Sequence, residues 1–161
     1  MLQSNIWGPP IWILLHTLVE KISNDNFNSY KLSLLEIIKN VCSSLPCAVS
    51  CQTTLKFLNS VKTEKFTNLN DIKIMIYMLH NFVNKNTKKL LFNYSDIQKY
   101  QNIDIKLAFT NLYNLYFNNK LIRQNINFNK MLLVLNDINK FIGKYIYNFK
   151  YTEEKPIEKP I

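Results

Sequence analysis

The sequence predicts an all-α protein, and three observations carry that expectation. Glycine occurs only twice, as Gly8 and Gly143, and proline five times, with Pro156 and Pro160 in the last six residues. A turn-rich β fold needs more of both, and glycine-rich phosphate loops need several glycines close together. Hydrophobic residues make up 47% of the 161 positions and charged residues 19%, the balance of a globular chain with one core. Apolar residues then recur three and four apart along most of the length.

Pro9 and Pro10 suit the first turn of a helix, and Ile11, Leu14, Leu15, Leu18 and Ile22 follow at helical spacing, predicting a first helix over 9–23. A second fits 29–41, with Leu34, Leu35, Ile37 and Ile38 inside. Ser43-Ser44-Leu45-Pro46 breaks the pattern and restarts it, with Ser44 as N-cap and Pro46 at the first helical position of a third helix. That helix carries Cys47, Cys51, Leu55 and Leu58. Asn70-Asp71 opens a fourth, which holds Ile74, Tyr77, Met78 and the adjacent His80-Asn81. A short fifth helix fits 95–101.

Residues 102–149 hold two further helical patterns, 103–117 and 129–149. The stripe Leu132, Leu135, Ile138, Ile142 and Tyr145 predicts packing of some kind. Residues 151–161 are polar, repeat Glu-Lys-Pro-Ile, and read as a disordered tail. The expected organisation is a domain over 1–101, a helical extension over 102–150 and the tail.

The formal net charge is +9, but 1–101 carry 11 Lys against 6 acidic residues and 102–161 carry 9 Lys+Arg against 5. The excess is spread evenly, and Arg123 is the lone arginine, whereas nucleic-acid readers favour arginine's bidentate fork. No nucleic-acid partner is expected. Residues 1–6 lack the basic stretch of a signal peptide, and the apolar run 11–19 falls well short of the roughly 20 residues of a spanning helix. The chain reads as cytoplasmic, with no membrane partner.

Cys42, Cys47 and Cys51 cluster within ten residues. In a cytoplasmic chain such a cluster points to redox chemistry or metal binding. On an α-helix a four-residue separation leaves Cα atoms about 6.2 Å apart. Disulfides accept roughly 4.4–6.8 Å, so a Cys47–Cys51 bridge lies towards the long end, strained and reducible. Placed in the first helical turn, Cys47 would have its thiolate favoured by the positive helix end. Two other readings stay open here: three small buried hydrophobes, and a zinc site using the thiols with His16 or His80, though without the usual two-plus-two spacing.

The surrounding residues favour redox chemistry. Trp7-Gly8-Pro9-Pro10-Ile11-Trp12-Ile13-Leu14-Leu15-His16 resembles the opening motif of the Erv/ALR family of flavin-linked sulfhydryl oxidases. Leu45-Pro46-Cys47-Ala48-Val49-Ser50-Cys51 resembles that family's redox-active dithiol. His80-Asn81-Phe82-Val83-Asn84, followed by Lys89 and Phe92, resembles its HNxVN segment. The three occur in family order over 7–92, and their flavour is closest to the short oxidases of large DNA viruses.

The resemblance implies a four-helix bundle with a short fifth helix, holding FAD among the helices and no metal. Gly8, Pro9, Trp12 and His16 would line the flavin site. His80, Asn81, Val83 and Asn84 would hold the adenine and ribose side, joined by Lys89 near the phosphates and by Phe92. It also implies thiol oxidation: a substrate thiolate attacks Cys47, a second releases the oxidised product, and two electrons pass through Cys51 to FAD and then to O2, giving hydrogen peroxide. A homodimer is implied as well.

The sequence departs from the family pattern in places. Three residues separate the two cysteines where most members have two. Leu90 follows Lys89 where proline is usual, and Pro9 stands where many cellular members have arginine. Cys42 lies outside the motif and is expected to be dispensable. No second, distant cysteine pair exists to shuttle electrons. Thiol-containing protein substrates are therefore expected to reach the dithiol directly, as through a thioredoxin-like relay protein. The alternative is a catalytically inactive helical-bundle interaction protein, which would carry no flavin.

Overall fold

The computed structural model describes residues 4–146, and the predicted tail at 151–161 lies outside them. The chain is all-α, with no strand among the described residues. Seven α-helices run in order: α1 (Ser4–Lys21), α2 (Phe27–Cys42), α3 (Ala48–Ser60), α4 (Leu69–Asn86), α5 (Ile105–Asn118), α6 (Lys120–Asn125) and α7 (Phe128–Phe141). A 3-10 turn, Thr63–Lys65, links α3 to α4, and a longer 3-10 segment, Tyr94–Asn102, links α4 to α5. A π-turn over Ile142–Ile146 continues α7. No described helix is long and apolar enough to cross a membrane.

Several boundaries differ from the sequence expectation, each for a local reason. Pro9 and Pro10 lie inside α1, which is helical from Ser4. Their missing N–H groups leave unpaired only carbonyls of the first turn, and Gly8 has no Cβ to clash with the ring of Pro9. The second helix starts two residues early, because Asn26 takes the left-handed conformation (φ 56°) that asparagine tolerates and turns Phe27 into the core.

The third helix opens at Ala48 rather than Pro46. Ser43 and Ser44 finish α2 instead, donating their N–H groups to the carbonyls of Lys39 and Val41 at 2.9 and 3.0 Å. Cys47 is then the extended N-cap (φ −149°, ψ 117°). Asn68, two residues before the expected start, caps α4 through a capping box with Asp71. The expected fifth helix is the 3-10 segment.

The region after residue 102 holds three helices where two patterns were expected. Asn119 and Asn127 accept N–H bonds from Ile122 and Lys130 and so open α6 and α7 separately.

Helix α1 packs on α4, α5 and the 3-10 segment, while α2 packs on α3 and α7, and α3 on α4. Leu14, Leu18, Leu34, Ile72 and Ile76 from α1, α2 and α4 share one apolar cluster with Leu112, Tyr116, Ile122 and Ile138. Glu20, buried on α1, meets Lys73 of α4 at 3.0 Å and ties those two helices beside the core. The outcome is one end where the start of α1, the end of α2, the start of α3 and the end of α4 converge.

Candidate active site

At that end Cys47 sits at the head of α3, half-buried, and its carbonyl accepts the N–H of Cys51 at 3.0 Å. Burial pushes the Cys47 thiol up, but the Ser50 hydroxyl and the N–H groups of Ser50 and Val49 outweigh it, and its pKa ends below the ordinary thiol value. Cys47 is the N-cap residue of α3 but makes no side-chain cap bond, and the N–H groups of the helix start lie close enough to favour its thiolate. Burial, reinforced by Cys47, pushes Cys51 up. The Cys51 thiol donates to the Leu45 carbonyl at 3.4 Å. Both thiols are free, as is Cys42, whose burial raises it to about 12.

Next to the dithiol, α1 and α4 assemble a block of rings. The Trp12 indole stacks on His80 at 4.1 Å, and His80 stacks on Phe92 at 5.1 Å. His16 stacks on Tyr100 at 4.6 Å, and a hydrogen bond of 3.1 Å joins His16 Nε2 to His80 Nδ1. Burial, then neighbouring positive charge, pulls His16 down to about 3 and His80 to about 4. Both imidazoles are therefore neutral at neutral pH, and one N–H is shared between them. Asn81 holds the block shut: its side-chain amide donates to the Phe92 carbonyl at 2.9 Å, and its oxygen accepts the Phe92 N–H at 2.7 Å.

The chain after α4 is turned by Lys88, in the left-handed region (φ 55°), with Lys89 N–H bonded back to the Asn84 carbonyl at 2.9 Å. That turn carries the Lys89 ammonium to the Ser4 hydroxyl at 3.0 Å, beside the start of α1. Between these walls lies a small cavity, lined by Gly8, Trp12, Val83, Asn84 and Lys89 among others.

Three motifs converge on one end of the bundle, and the sequence profile of the Erv1 / Alr family matches residues 9–102. The chain belongs to the Erv1/Alr family. Curated proteins and solved structures gave no match.

Erv1/Alr proteins are FAD-linked sulfhydryl oxidases, so the cavity can be tested against that cofactor. Gly8 is buried, yet a Cβ built on it would meet nothing within 4 Å. Trp7, another wall residue, has its indole N–H buried with no partner. Lys89 supplies the one exposed cation of the wall. Open space beside a helix, an orphan donor and a rim ammonium suit a flat ring system with an anionic tail. The space open to water is about 40 Å³, room for a water or two and far below the roughly 300–1,000 Å³ of ligand pockets. The residues fit the group, and loading it requires the walls to part. Roomier clefts, about 320 Å³ between α2 and α7 and about 580 Å³ near α2 and α3, touch no thiol.

Of the residues singled out from sequence, Gly8, Trp12, Val83, Asn84 and Lys89 line the cavity, while His16, His80, Asn81 and Phe92 form the ring block with Trp12. Pro9 is exposed and joins neither. Sequence reasoning missed Cys42, Ser50 and Thr54 of the cavity wall, and it missed Tyr100 of the ring block. Ser50 was findable, since it stands three residues after Cys47, where the usual second cysteine would be. Among the described residues no group of three metal-ligating side chains comes together.

Proposed function

We propose that this Erv1/Alr chain is a FAD-dependent sulfhydryl oxidase that makes disulfides in protein thiols, using the Cys47/Cys51 dithiol. The observation that carries the reading is the half-buried Cys47 at the head of a helix whose next turn borders a cavity built from Gly8, Trp12, Val83 and Asn84.

In the oxidised site a substrate thiolate attacks the Cys47 sulfur, and Cys51 leaves. The substrate is then joined to Cys47. A second substrate thiolate attacks the substrate sulfur of that mixed disulfide, and Cys47 leaves as a thiolate. The N–H groups of Val49 and Ser50 and the Ser50 hydroxyl favour that departure, because they stabilise the negative sulfur. Gly8, Trp12, Val83 and Asn84 would hold FAD, with Lys89 on the side of its phosphates, and the cofactor would supply a two-electron acceptor that O2 can reoxidise to give hydrogen peroxide. Neutral His16 and His80 add no charge to the ring block that Trp12 joins to the cavity wall.

Three cysteines allow no separate shuttle pair, which supports protein thiols reaching Cys47 directly, as from a thioredoxin-like relay protein. The test is the visible spectrum of the purified full chain before and after dithiothreitol in air. Oxidised-flavin bands that bleach and then recover as oxygen is consumed are expected. A colourless protein that gains no bands on mixing with FAD would leave an inactive bundle.

A further inference from the structure

The extra residue between the cysteines decides which side chain meets the cavity. Successive residues of a helix are about 100° apart, so the positions three and four after Cys47 face different directions. Ser50 lines the cavity, and Cys51 does not. The Cys51 thiol is instead turned to the Leu45 carbonyl, in the loop outside α3. The thiol-bearing residue of the cavity wall is Cys42, at the end of α2, 2% exposed and set among Trp7, Gly8 and Ile11.

The Thr54 hydroxyl touches the backbones of both Cys42 and Cys51. The Thr54 hydroxyl lies 3.3 Å from the Cys42 carbonyl oxygen and 3.0 Å from that of Cys51, while bonding Ser50 at 2.9 Å. Thr54 is itself 1% exposed and lines the same cavity. Cys42 is the buried thiol of the three and lines the cavity, while Cys47 and Cys51 are half-buried.

We propose that Cys42 is a third redox thiol of this site, pairing with Cys51 at the cavity wall while Cys47 faces the substrate. The assignment rests on the flavin-oxidase reading and deepens it. Once substrate has reduced Cys47–Cys51, the Cys42 and Cys51 thiols give two electrons and two protons to the flavin, and an S–S bond joins them. The Cys47 thiolate then attacks the Cys51 sulfur. The Cys47–Cys51 bond forms, the Cys51–Cys42 bond breaks, and Cys42 leaves and takes up one proton. The dithiol is again oxidised and ready for substrate. With the longer spacing Ser50 stands on the cavity wall, and Cys42 supplies the thiol there.

All three thiols lie on one tryptic peptide, residues 40–56, between Lys39 and Lys56. Full-length Cys47→Ser is reduced, oxidised with diamide, alkylated with iodoacetamide and digested. The expected peptide is two hydrogens lighter than the dithiol and carries no alkyl group, as Cys42–Cys51 requires. Two alkylated cysteines, or only Cys51-linked dimers, would overturn the proposal. This arm needs no flavin, so it reads the pairing even if the chain proves colourless and the oxidase reading fails.

The second arm uses Cys42→Ala in the flavin-loaded protein. Oxidised-flavin bands are retained, dithiothreitol still reduces Cys47–Cys51, and flavin bleaching falls to the rate of free FAD. Bleaching at the unmodified rate sinks the relay. Cys42→Ser, which changes one atom, is scored the same way if Cys42→Ala loses its helical circular dichroism.

Discussion

The Trp12 indole lies flat on the His80 imidazole, with ring centroids 4.1 Å apart and planes within 9° of parallel. The two residues come from α1 and α4, and Trp12 forms part of the wall of a cavity with space for a water or two. A flavin therefore enters only as that wall rearranges. The chain's two tryptophans, Trp7 and Trp12, both line the cavity and report on it. Adding FAD to flavin-free protein is expected to quench tryptophan emission, with most of the change lost in Trp12→Phe. In Trp12→Ala, loss of a ring contact worth about 0.5–1.5 kcal/mol should weaken FAD binding by up to roughly tenfold. Undiminished affinity in a titration would separate Trp12 from the cofactor.

The His16–His80 pair makes stability depend on pH. Both folded pKa values, about 3 and about 4, lie below the ordinary 6.5. The unfolded chain therefore binds more protons than the folded one between those limits. The stabilisation is fully present above pH 6.5 and is lost as the pH falls towards 3–4. For His16, which is 1% exposed, the loss by pH 4.5 is on the order of 2–3 kcal/mol. Urea midpoints taken from pH 7.5 to 4.5 should drop more steeply for the natural chain than for His16→Gln. Parallel slopes would show that His16 is protonated without resistance in the folded state.

The surroundings of Cys47 predict its reactivity. The Ser50 hydroxyl contributes to holding its pKa down alongside the two N–H groups. In Ser50→Ala the N–H groups remain and the hydroxyl is lost, so the pH midpoint of Cys47 alkylation should rise while the helix persists. Alkylation of the reduced chain by limiting iodoacetamide should tag Cys47 before Cys51, with Cys42 last. Equal labelling of the three would remove the basis for Cys47 as the leaving thiolate.

How much of this could be read beforehand follows from the range of each interaction. The first four helices were legible because their apolar periodicity is set within one or two turns. A lowered Cys47 pKa was also legible, although Cys47 stands at the N-cap position and not within the first turn, since the same N–H groups lie beside it. Helix α6, which lies between the two expected patterns, was not legible. Its signals are caps by Asn119 and Asn127, lost among twenty-three asparagines. Tyr100 against His16 joins positions 84 residues apart, and nothing local to either announces the pair. The departure from two-residue cysteine spacing was visible at once, but its consequence, Ser50 and Cys42 on the cavity wall, needed the helix to be placed.

The helices after residue 102 share the core of the first four, which sets the last prediction. Leu112 of α5 and Ile138 of α7 are 1% and 0% exposed and sit in the same cluster as Leu14 and Leu34. Helix α5 lies along α1, which carries Trp12 and His16, and α7 lies along α2, which ends in Cys42. Lys130 of α7 reaches the Ser43 carbonyl at 3.3 Å, at the start of the loop that leads to Cys47. Loosening this layer should therefore act on stability and on the site together. Ile138→Ala and Leu112→Ala are each expected to cost about 2–5 kcal/mol, with one cooperative transition by circular dichroism and by flavin release. A flavin signal that outlasts the helical one, or a first transition that leaves α1–α4 intact, would mean that the later helices fold as a separate unit.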